Sequence, residues 1–225
     1  METKRGLKMG EYVYCIIARK EAPKTFDVKG IDDKEVRTIS YNDLTAVVSE
    51  APIKEYEPND ENIAKHKEVS LAILKNHTVL PVAFGMVFKT KGVLTSTMRK
   101  VYALLKRNLR LIDNKIELGI KAVFPINEEE LKNLLKGKTA DEFRKECEKE
   151  FIETLSKAAV ASKKGKLFSE RLVLNRHFLV DRKRINEFSE VLGKLKDDYA
   201  TLKIKYTGPW PPYNFVDIKI ISKGR

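Results

Sequence analysis

This chain has few of the cysteines and histidines that build disulfide frameworks and metal sites, and it has no long apolar run of the kind that builds a membrane span. It contains two cysteines and three histidines in 225 residues, and Cys15 and Cys147 are too far apart to suggest a disulfide framework or a zinc site. Both cysteines lie in apolar patterns, so we expect buried, reduced thiols. No apolar run approaches the ~18 residues of a membrane span, and the N-terminus lacks a secretory apolar stretch. We therefore expect a cytoplasmic protein.

The sequence also lacks the motifs of common catalytic and cofactor-binding sites. It has no P-loop, no GxGxxG, no nucleophile elbow and no cluster of metal ligands. His66 and His77 lie on the same apolar side of one helical segment, but no third ligand is nearby, so packed and hydrogen-bonded histidines are favoured over a metal pair. We expect no catalytic residue, no cofactor, no metal and no enzymatic activity. An enzyme would need a polar pocket around His66, His77 or Cys15.

Positive charge is in excess, with a formal net charge of +12. Such a balance is compatible with nucleic-acid binding, for which the candidates are the basic face from Arg99 to Arg110 and the cluster from Arg182 to Arg184. The excess is spread along the chain and interleaved with acidic residues, however, as in an ordinary solvated surface. We expect no nucleic-acid or membrane partner. A basic nucleic-acid-binding module is the alternative, and its binding would depend steeply on salt.

Residues 78–88 (TVLPVAFGMVF) are the segment around which the chain is expected to be organised. They carry almost no charge and lie between two helical patterns, so we expect them to be buried. Pro81 cannot donate to a sheet ladder, and Gly85 indicates a bend or a close backbone approach. The segment is therefore an edge strand, a bulged strand, or two short extended pieces that meet at a bend.

Hydrophobic periodicity over the rest of the chain predicts an α+β protein. The predicted strands are 12–18, 36–41, 44–49, 115–124, 171–180, 202–206 and 215–221. The predicted helices are 60–77, 93–111, 127–161 with a break near Gly137, and 185–195 capped by Asp181. Residues 23–30 and 163–166 are predicted to be loops, and Asn42-Asp43 is predicted to close a hairpin.

The most natural domain boundary lies between Asp113 and Asn114. Residues 1–113 would form an N-terminal mixed α+β domain. Residues 114–225, with the order β-α-β-α-β-β, would form a ferredoxin-like antiparallel sheet with packed helices. The strand from Ile116 onward could instead complete the first sheet.

Residues 207–215 (TGPWPPYNF) have an unusual composition. The three prolines fix φ and the glycine supplies a turn, so Trp210 and Tyr213 are suited to act as rigid aromatic anchors. Trp210 packed over the C-terminal sheet is the equal alternative. Together with the segment at 78–88, the candidate partner-binding residues are Pro81, Phe84, Gly85, Gly208, Pro209, Trp210, Pro211, Pro212, Tyr213 and Phe215.

Six segments in this order resemble the GvpF/GvpL family of gas vesicle proteins. They are YVYCII at 12–17, LTAVVSE at 44–50, the helix with His66, TVLPVAFGMVF, IELGIKAVF at 116–124 and, most specifically, GPWPPYNFV at 208–216. The resemblance implies a two-domain α+β accessory or minor structural protein, located at gas vesicles, that is not an enzyme. It implies partners among gas vesicle proteins, chiefly the hydrophobic shell protein. By this hypothesis the chain covers a shell subunit by strand addition or by a helix in a groove. Whether it has the F or the L role stays open.

Overall fold

The chain folds as two units that contain helices and antiparallel sheets. The structure is a computed structural model that describes residues 8–19 and 22–216. The first unit comprises the described residues up to Asp113 together with those from Pro211 onward, and the second is Asn114–Trp210. Every helix in the described ranges is too short or too polar to cross a lipid bilayer.

The unit boundaries differ from the predicted domains at the C-terminal end. The sequence division assigns 114–225 to one domain, whereas the described residues after Trp210 group with the first unit. The reason is packing, since Val216 contacts the apolar core of the first unit and Phe215 is buried.

A six-stranded sheet forms the first unit. Its strands are β1 (Met9–Ala18), β2 (Thr25–Lys29), β3 (Glu35–Tyr41), β4 (Leu44–Pro52), β5 (Leu80–Pro81) and β6 (Val87–Phe88). The order is β2-β3-β4-β1-β5, and β6 also pairs with β1, with every pair antiparallel. The predicted hairpin is present as β3 and β4, joined at a turn in which Asn42 has a φ of 52°. Asparagine tolerates this left-handed conformation better than most residues.

Three helices pack on this sheet, namely α1 (Asp60–Leu74), α2 (Lys91–Lys100) and α3 (Tyr102–Leu111). Asn59 caps α1, because its side chain accepts from the Asn62 backbone N–H at 2.9 Å. The buried apolar side chains of α2 and α3 form one core with those of β1, β3 and β4. Side chains alternate along a strand, so α1 contacts the tyrosine-bearing face of β1.

The predicted single helix at 93–111 is wrong, because the chain breaks between α2 and α3. Val101 has φ −108° and ψ 15°, outside the helical region. In α2 the Thr97 hydroxyl donates to the Val93 carbonyl at 2.9 Å, a contact that bends helices. The break lets Met98 of α2 and Leu105 of α3 enter the same core.

The segment at 78–88 is two short extended pieces that meet at a bend, which was one of the three predicted forms. β5 pairs with Cys15 and Ile16 of β1, and β6 pairs with Glu11 and Tyr12. Burial is confined to the two ends, since Ala83 is exposed and residues 84–87 are partly exposed. The expectation of a fully buried segment is therefore wrong at the bend itself.

The second unit is a four-stranded antiparallel sheet with helices. Its elements are β7 (Lys115–Val123), α4 (Glu128–Leu135), α5 (Ala140–Leu155), β8 (Ala161–Lys164), β9 (Leu172–Asp181), α6 (Ile185–Asp198) and β10 (Lys203–Trp210). The strand order is β10-β7-β9-β8, which is the fourth, first, third and second strand of the unit. With α4 and α5 together forming the first helical connection, this is the βαββαβ arrangement of a ferredoxin-like fold.

Two short edge strands were predicted as loops. β2 lies in the predicted loop at 23–30, and β8 overlaps the predicted connector at 163–166 and the predicted end of the helix at 161. Both strands are short and largely polar because they lie at sheet edges, where charged residues are common. The predicted order β-α-β-α-β-β is corrected accordingly. Of the predicted strand at 215–221, Phe215 lies in a turn, and 217–221 lie outside the described residues.

Candidate partner-binding site

Tyr12 lies at the centre of an aromatic cluster in the first unit. β1 contains a bulge, because Val13 pairs with Val48 and Cys15 pairs with the adjacent Val47, so that Tyr14 is the extra residue. The rings of Tyr12 and Tyr14 consequently approach each other, with centroids 4.9 Å apart. Both side chains are fully buried.

The Tyr12 hydroxyl joins β1, α1 and the bend at 83–87. It accepts a hydrogen bond from the Gly85 backbone N–H at 3.0 Å and lies 3.0 Å from His66 Nδ1. Because the Gly85 N–H already donates to this oxygen, the hydroxyl hydrogen is available to donate to Nδ1. Burial also raises the pKa of the Tyr12 phenol above its ordinary value. Gly85 has a φ of +79°, a conformation that glycine adopts without a Cβ penalty.

His66 is a buried neutral histidine, as the sequence predicted for a packed and hydrogen-bonded residue. Burial lowers the pKa of its imidazole to about 4, and only 3% of the residue is exposed. Since Nδ1 accepts from Tyr12, the proton is on Nε2. That nitrogen is buried and has no hydrogen-bond partner among the described residues. Burial is the main cause of the lowered imidazole pKa, and the Val82 backbone offsets part of that lowering.

Phe84 is held over this cluster at the bend. Its ring packs against His66 with centroids 5.9 Å apart and an interplanar angle of 68°, and against Tyr12 at 6.5 Å. Tyr56 packs edge-on to Tyr12 at 5.3 Å. Such edge-to-face pairs fix ring orientations, so the bend packs on the rigidly held rings of Tyr12 and His66. On its outer side it presents an apolar surface at Ala83 and Phe84.

The polar groups of this cluster make hydrogen bonds that hold the backbone in place. The Tyr14 hydroxyl accepts from the Ile31 backbone N–H at 2.7 Å and lies 2.7 Å from Ser49 Oγ, so its bonds are also used to fix the backbone. Cys15 and Cys147 are free and buried, and burial raises the pKa of Cys147 to about 12. Within 8–19 and 22–216, no three His, Cys, Asp or Glu residues form a group that could hold a metal ion.

The proline-rich segment is divided between the two units. Gly208, Pro209 and Trp210 end β10, where Trp210 pairs with Glu117 of β7 across a bulge. Gly208 has a φ of +121°, and a Cβ there would lie 2.8 Å from the Glu117 carbonyl oxygen. The peptide bond between Gly208 and Pro209 is cis.

After Trp210 the segment belongs to the first unit. Pro211 and Pro212 are buried, Phe215 is 8% exposed, and Tyr213 is 40% exposed. Tyr213 lies near enough to Tyr12 to contribute to the raised pKa of that phenol.

Comparison with known proteins identifies the family. The chain matches the family described as gas vesicle synthesis protein GvpL/GvpF over residues 10–142 and 137–217. It is 33% identical to gas vesicle protein F1 of Halobacterium salinarum over 213 residues, which cover 93% of each chain. The chain belongs to the GvpL/GvpF family.

Other members of the GvpL/GvpF family support the same assignment. Gas vesicle protein F of Haloferax mediterranei is 32% identical over 214 residues, covering 93% of this chain and 94% of that one. Among solved structures, GvpF from Anabaena sp. PCC7120 matches with a TM-score of 0.81 at 20% identity, covering 93% of this chain and 98% of that chain. GvpF from Microcystis aeruginosa matches with a TM-score of 0.78 at 20% identity, covering 93% and 99%. The α+β fold of this family member is therefore shared with crystallised GvpF proteins.

Within this GvpL/GvpF chain, the structure brings only part of the predicted site together. Phe84 and Gly85 lie in the bend over Tyr12, and Pro81 ends β5 just before that bend. The sequence interpretation did not include Tyr12, although two tyrosines inside the apolar run YVYCII were a signal, since a buried tyrosine hydroxyl requires a hydrogen-bond partner.

Proposed function

We propose that this protein binds the hydrophobic shell protein of gas vesicles and other gas vesicle proteins, and that this binding supports the nucleation and assembly of the vesicle. Its family and its curated relatives give it a role connected with gas vesicles. Binding to the shell protein and support of vesicle nucleation and assembly are what we propose beyond that role. The protein would act without catalysing a reaction, at the gas vesicle and in the cytoplasm around it.

The apolar bend at 83–87 is the observation that supports shell-protein binding most directly. Ala83 is exposed, and Phe84, Met86 and Val87 are partly exposed. The backbone of the bend is already bonded to Tyr12, so little conformational freedom would be lost when a partner binds. Aromatic residues and methionine are enriched in protein interfaces, and an aggregation-prone subunit needs such a cover before it joins the wall.

Contact through side chains fits this bend better than addition of a strand. The Val13 N–H donates to the Met86 carbonyl at 2.9 Å, and the Val82 N–H donates to the Tyr14 carbonyl at 3.3 Å. The backbone groups of β1 that face the bend are thus already paired, so an added strand would have to displace them. A helix of the shell protein laid on the bend requires no such exchange.

The candidate residues take two roles in this proposal. Phe84, with Pro81 and Gly85 shaping the bend beneath it, contacts the shell protein. Tyr213 extends the contact surface from the same unit. The remaining candidates position the segment that carries Tyr213, and they are Gly208, Pro209, Trp210, Pro211, Pro212 and Phe215.

The test is co-expression with the shell protein, followed by measurement of its soluble fraction and of the complex that co-purifies. Ala83→Glu places a charge on the exposed bend and should abolish co-purification. Ala103→Glu is the matched control, because Ala103 is also exposed and lies in α3 of the same unit. If the wild-type protein neither co-purifies with the shell protein nor raises its solubility, shell binding is wrong.

The alternative of a nucleic-acid-binding module relies on basic residues that are only partly available. The basic face at 99–110 is divided between α2 and α3, and Lys106 within it pairs with Asp43 at 2.8 Å. In the other cluster, Arg184 pairs with Glu187 at 2.7 Å. Binding of DNA or RNA with a steep salt dependence would favour this alternative.

A further inference from the structure

A groove in the second unit carries the two most exposed large apolar side chains among the residues at 8–19 and 22–216. Ile126 is 84% exposed and Phe168 is 72% exposed. Both line a groove of about 540 Å³, and both also line an adjoining open pocket of about 900 Å³. Large apolar side chains exposed together at a concave surface are typical of an interaction site.

Three lysines form a row along the sheet at the same groove. Lys121 of β7 and Lys205 of β10 are directly opposite each other, and Lys203 lies two residues along β10, on the same face. All three line the groove. In the described ranges none of them has an acidic partner within ion-pair distance. Like charges that face each other across a ladder destabilise a sheet.

The apolar and basic parts of the groove are in contact. Lys121 Nζ lies 5.0 Å from the centroid of the Phe168 ring, within the range of a cation–π interaction. Of the described residues that line the groove, one is acidic, Glu130, and four are basic. The surface therefore offers apolar contact beside a net positive charge.

We propose that this groove binds an acidic amphipathic segment of another protein. Its apolar side chains contact Ile126 and Phe168, and its carboxylates neutralise the lysine row of Lys121, Lys203 and Lys205. Charge complementarity selects this occupant, because an acidic segment removes the repulsion between the opposed lysines while an uncharged apolar segment leaves it. The surface is distinct from the bend at 83–87, so the proposal does not depend on shell-protein binding.

A labelled synthetic helix tests the proposal on the full chain. The probe has leucine at positions i, i+3, i+4 and i+7 and glutamate on its other face. One comparison peptide carries lysine in place of glutamate, and a second carries serine in place of leucine. Fluorescence anisotropy should show the glutamate peptide binding at least about tenfold more tightly than either comparison peptide, with weaker binding at high salt.

Variants of exposed residues localise the binding. The double variant Lys203→Gln/Lys205→Gln should weaken binding of the glutamate peptide about fivefold, and Ile126→Ser/Phe168→Ser should weaken it roughly tenfold. The matched controls are Lys194→Gln/Lys196→Gln, which are exposed lysines of α6, and Val160→Ser, which is 55% exposed in the same unit. Both controls should bind like the wild type.

Each of three results would overturn the proposal. The first is equal affinity for the glutamate and lysine peptides, a measurement on the wild-type protein that does not depend on any variant folding. The second is tight binding of single-stranded oligo(dT) that is lost in Lys203→Gln/Lys205→Gln, which would assign the groove to nucleic acid. The third is a self-association in sedimentation that the same double variant abolishes, which would assign it to a second copy of this chain.

Discussion

Replacing Tyr12 by phenylalanine removes one buried oxygen atom and two hydrogen bonds. The hydroxyl accepts from the Gly85 N–H and donates to His66 Nδ1, each at 3.0 Å. An unpaired buried nitrogen costs about 1–3 kcal/mol, and an ordinary hydrogen bond contributes about 0.5–1.5 kcal/mol. Gly85 is only partly buried, so water can replace part of its bond. We expect the free energy of unfolding to fall by about 2–3 kcal/mol.

Urea unfolding followed by circular dichroism measures this loss. Tyr41→Phe is the control, because Tyr41 is partly buried but its hydroxyl has no hydrogen bond to any described residue, and its cost should stay below about 0.5 kcal/mol. Hydrogen exchange of the Gly85 amide should accelerate in Tyr12→Phe and stay unchanged in Tyr41→Phe.

A double-mutant cycle separates the two bonds of Tyr12. In a His66→Leu background no buried nitrogen is left unpaired, so Tyr12→Phe should cost only about 1 kcal/mol. If Tyr12→Phe costs no more than Tyr41→Phe, or costs the same in both backgrounds, the bridging role of Tyr12 is wrong.

Three further predictions concern pH, backbone conformation and packing. The pKa of His66 is lowered from 6.5 to about 4, so the unfolded chain binds the proton more readily than the folded chain. The contribution of neutral His66 to the free energy of unfolding is fully present above pH 6.5, and about 3 kcal/mol of it should be lost as the pH drops toward 4. His66→Leu should lack this part of the pH dependence. If the urea unfolding midpoints of the wild type and of His66→Leu change by the same amount from pH 7 to pH 5, this role of His66 is contradicted. Gly208→Ala should destabilise the second unit by about 1–3 kcal/mol in thermal unfolding, since the Cβ would meet the Glu117 carbonyl at 2.8 Å; an unchanged melting temperature would refute this. Phe151→Ala, at a fully buried position, should cost about 3–5 kcal/mol in urea unfolding, against less than about 0.5 kcal/mol for the exposed control Val160→Ala.

Sequence patterns predicted the elements whose causes are local. The hairpin of β3 and β4 follows from two apolar runs around Asn42-Asp43, and α1 follows from an Asn59 cap and a helical period. Asp181 caps the short 3-10 turn at 182–184 that leads into α6, because its side chain accepts from the Lys183 backbone N–H at 3.0 Å. The predicted cap of α6 itself is wrong, since that helix begins after Arg184 without a side-chain cap. In each case the residues that determine the structure are neighbours in the chain.

Elements that depend on distant pairing were missed or misjudged. β2 and β8 are strands only because β3 and β9 pair with them, and their own residues carry a weak signal. The candidate site shows the same limit. His66 was predicted to be packed and hydrogen-bonded, but its partner Tyr12 is 54 residues away and was not identified.

The amino-acid sequence by itself determined the α+β class, most helices and strands, and the resemblance to the GvpL/GvpF family, because these depend on composition and short-range order. Only the tertiary structure decided that Tyr12 supports the bend at 83–87, that the segment after Trp210 groups with the first unit, and that Lys121, Lys203 and Lys205 line one groove with Ile126 and Phe168. Such features depend on strand register and on solvent exposure, which arise from contacts between residues far apart in the chain.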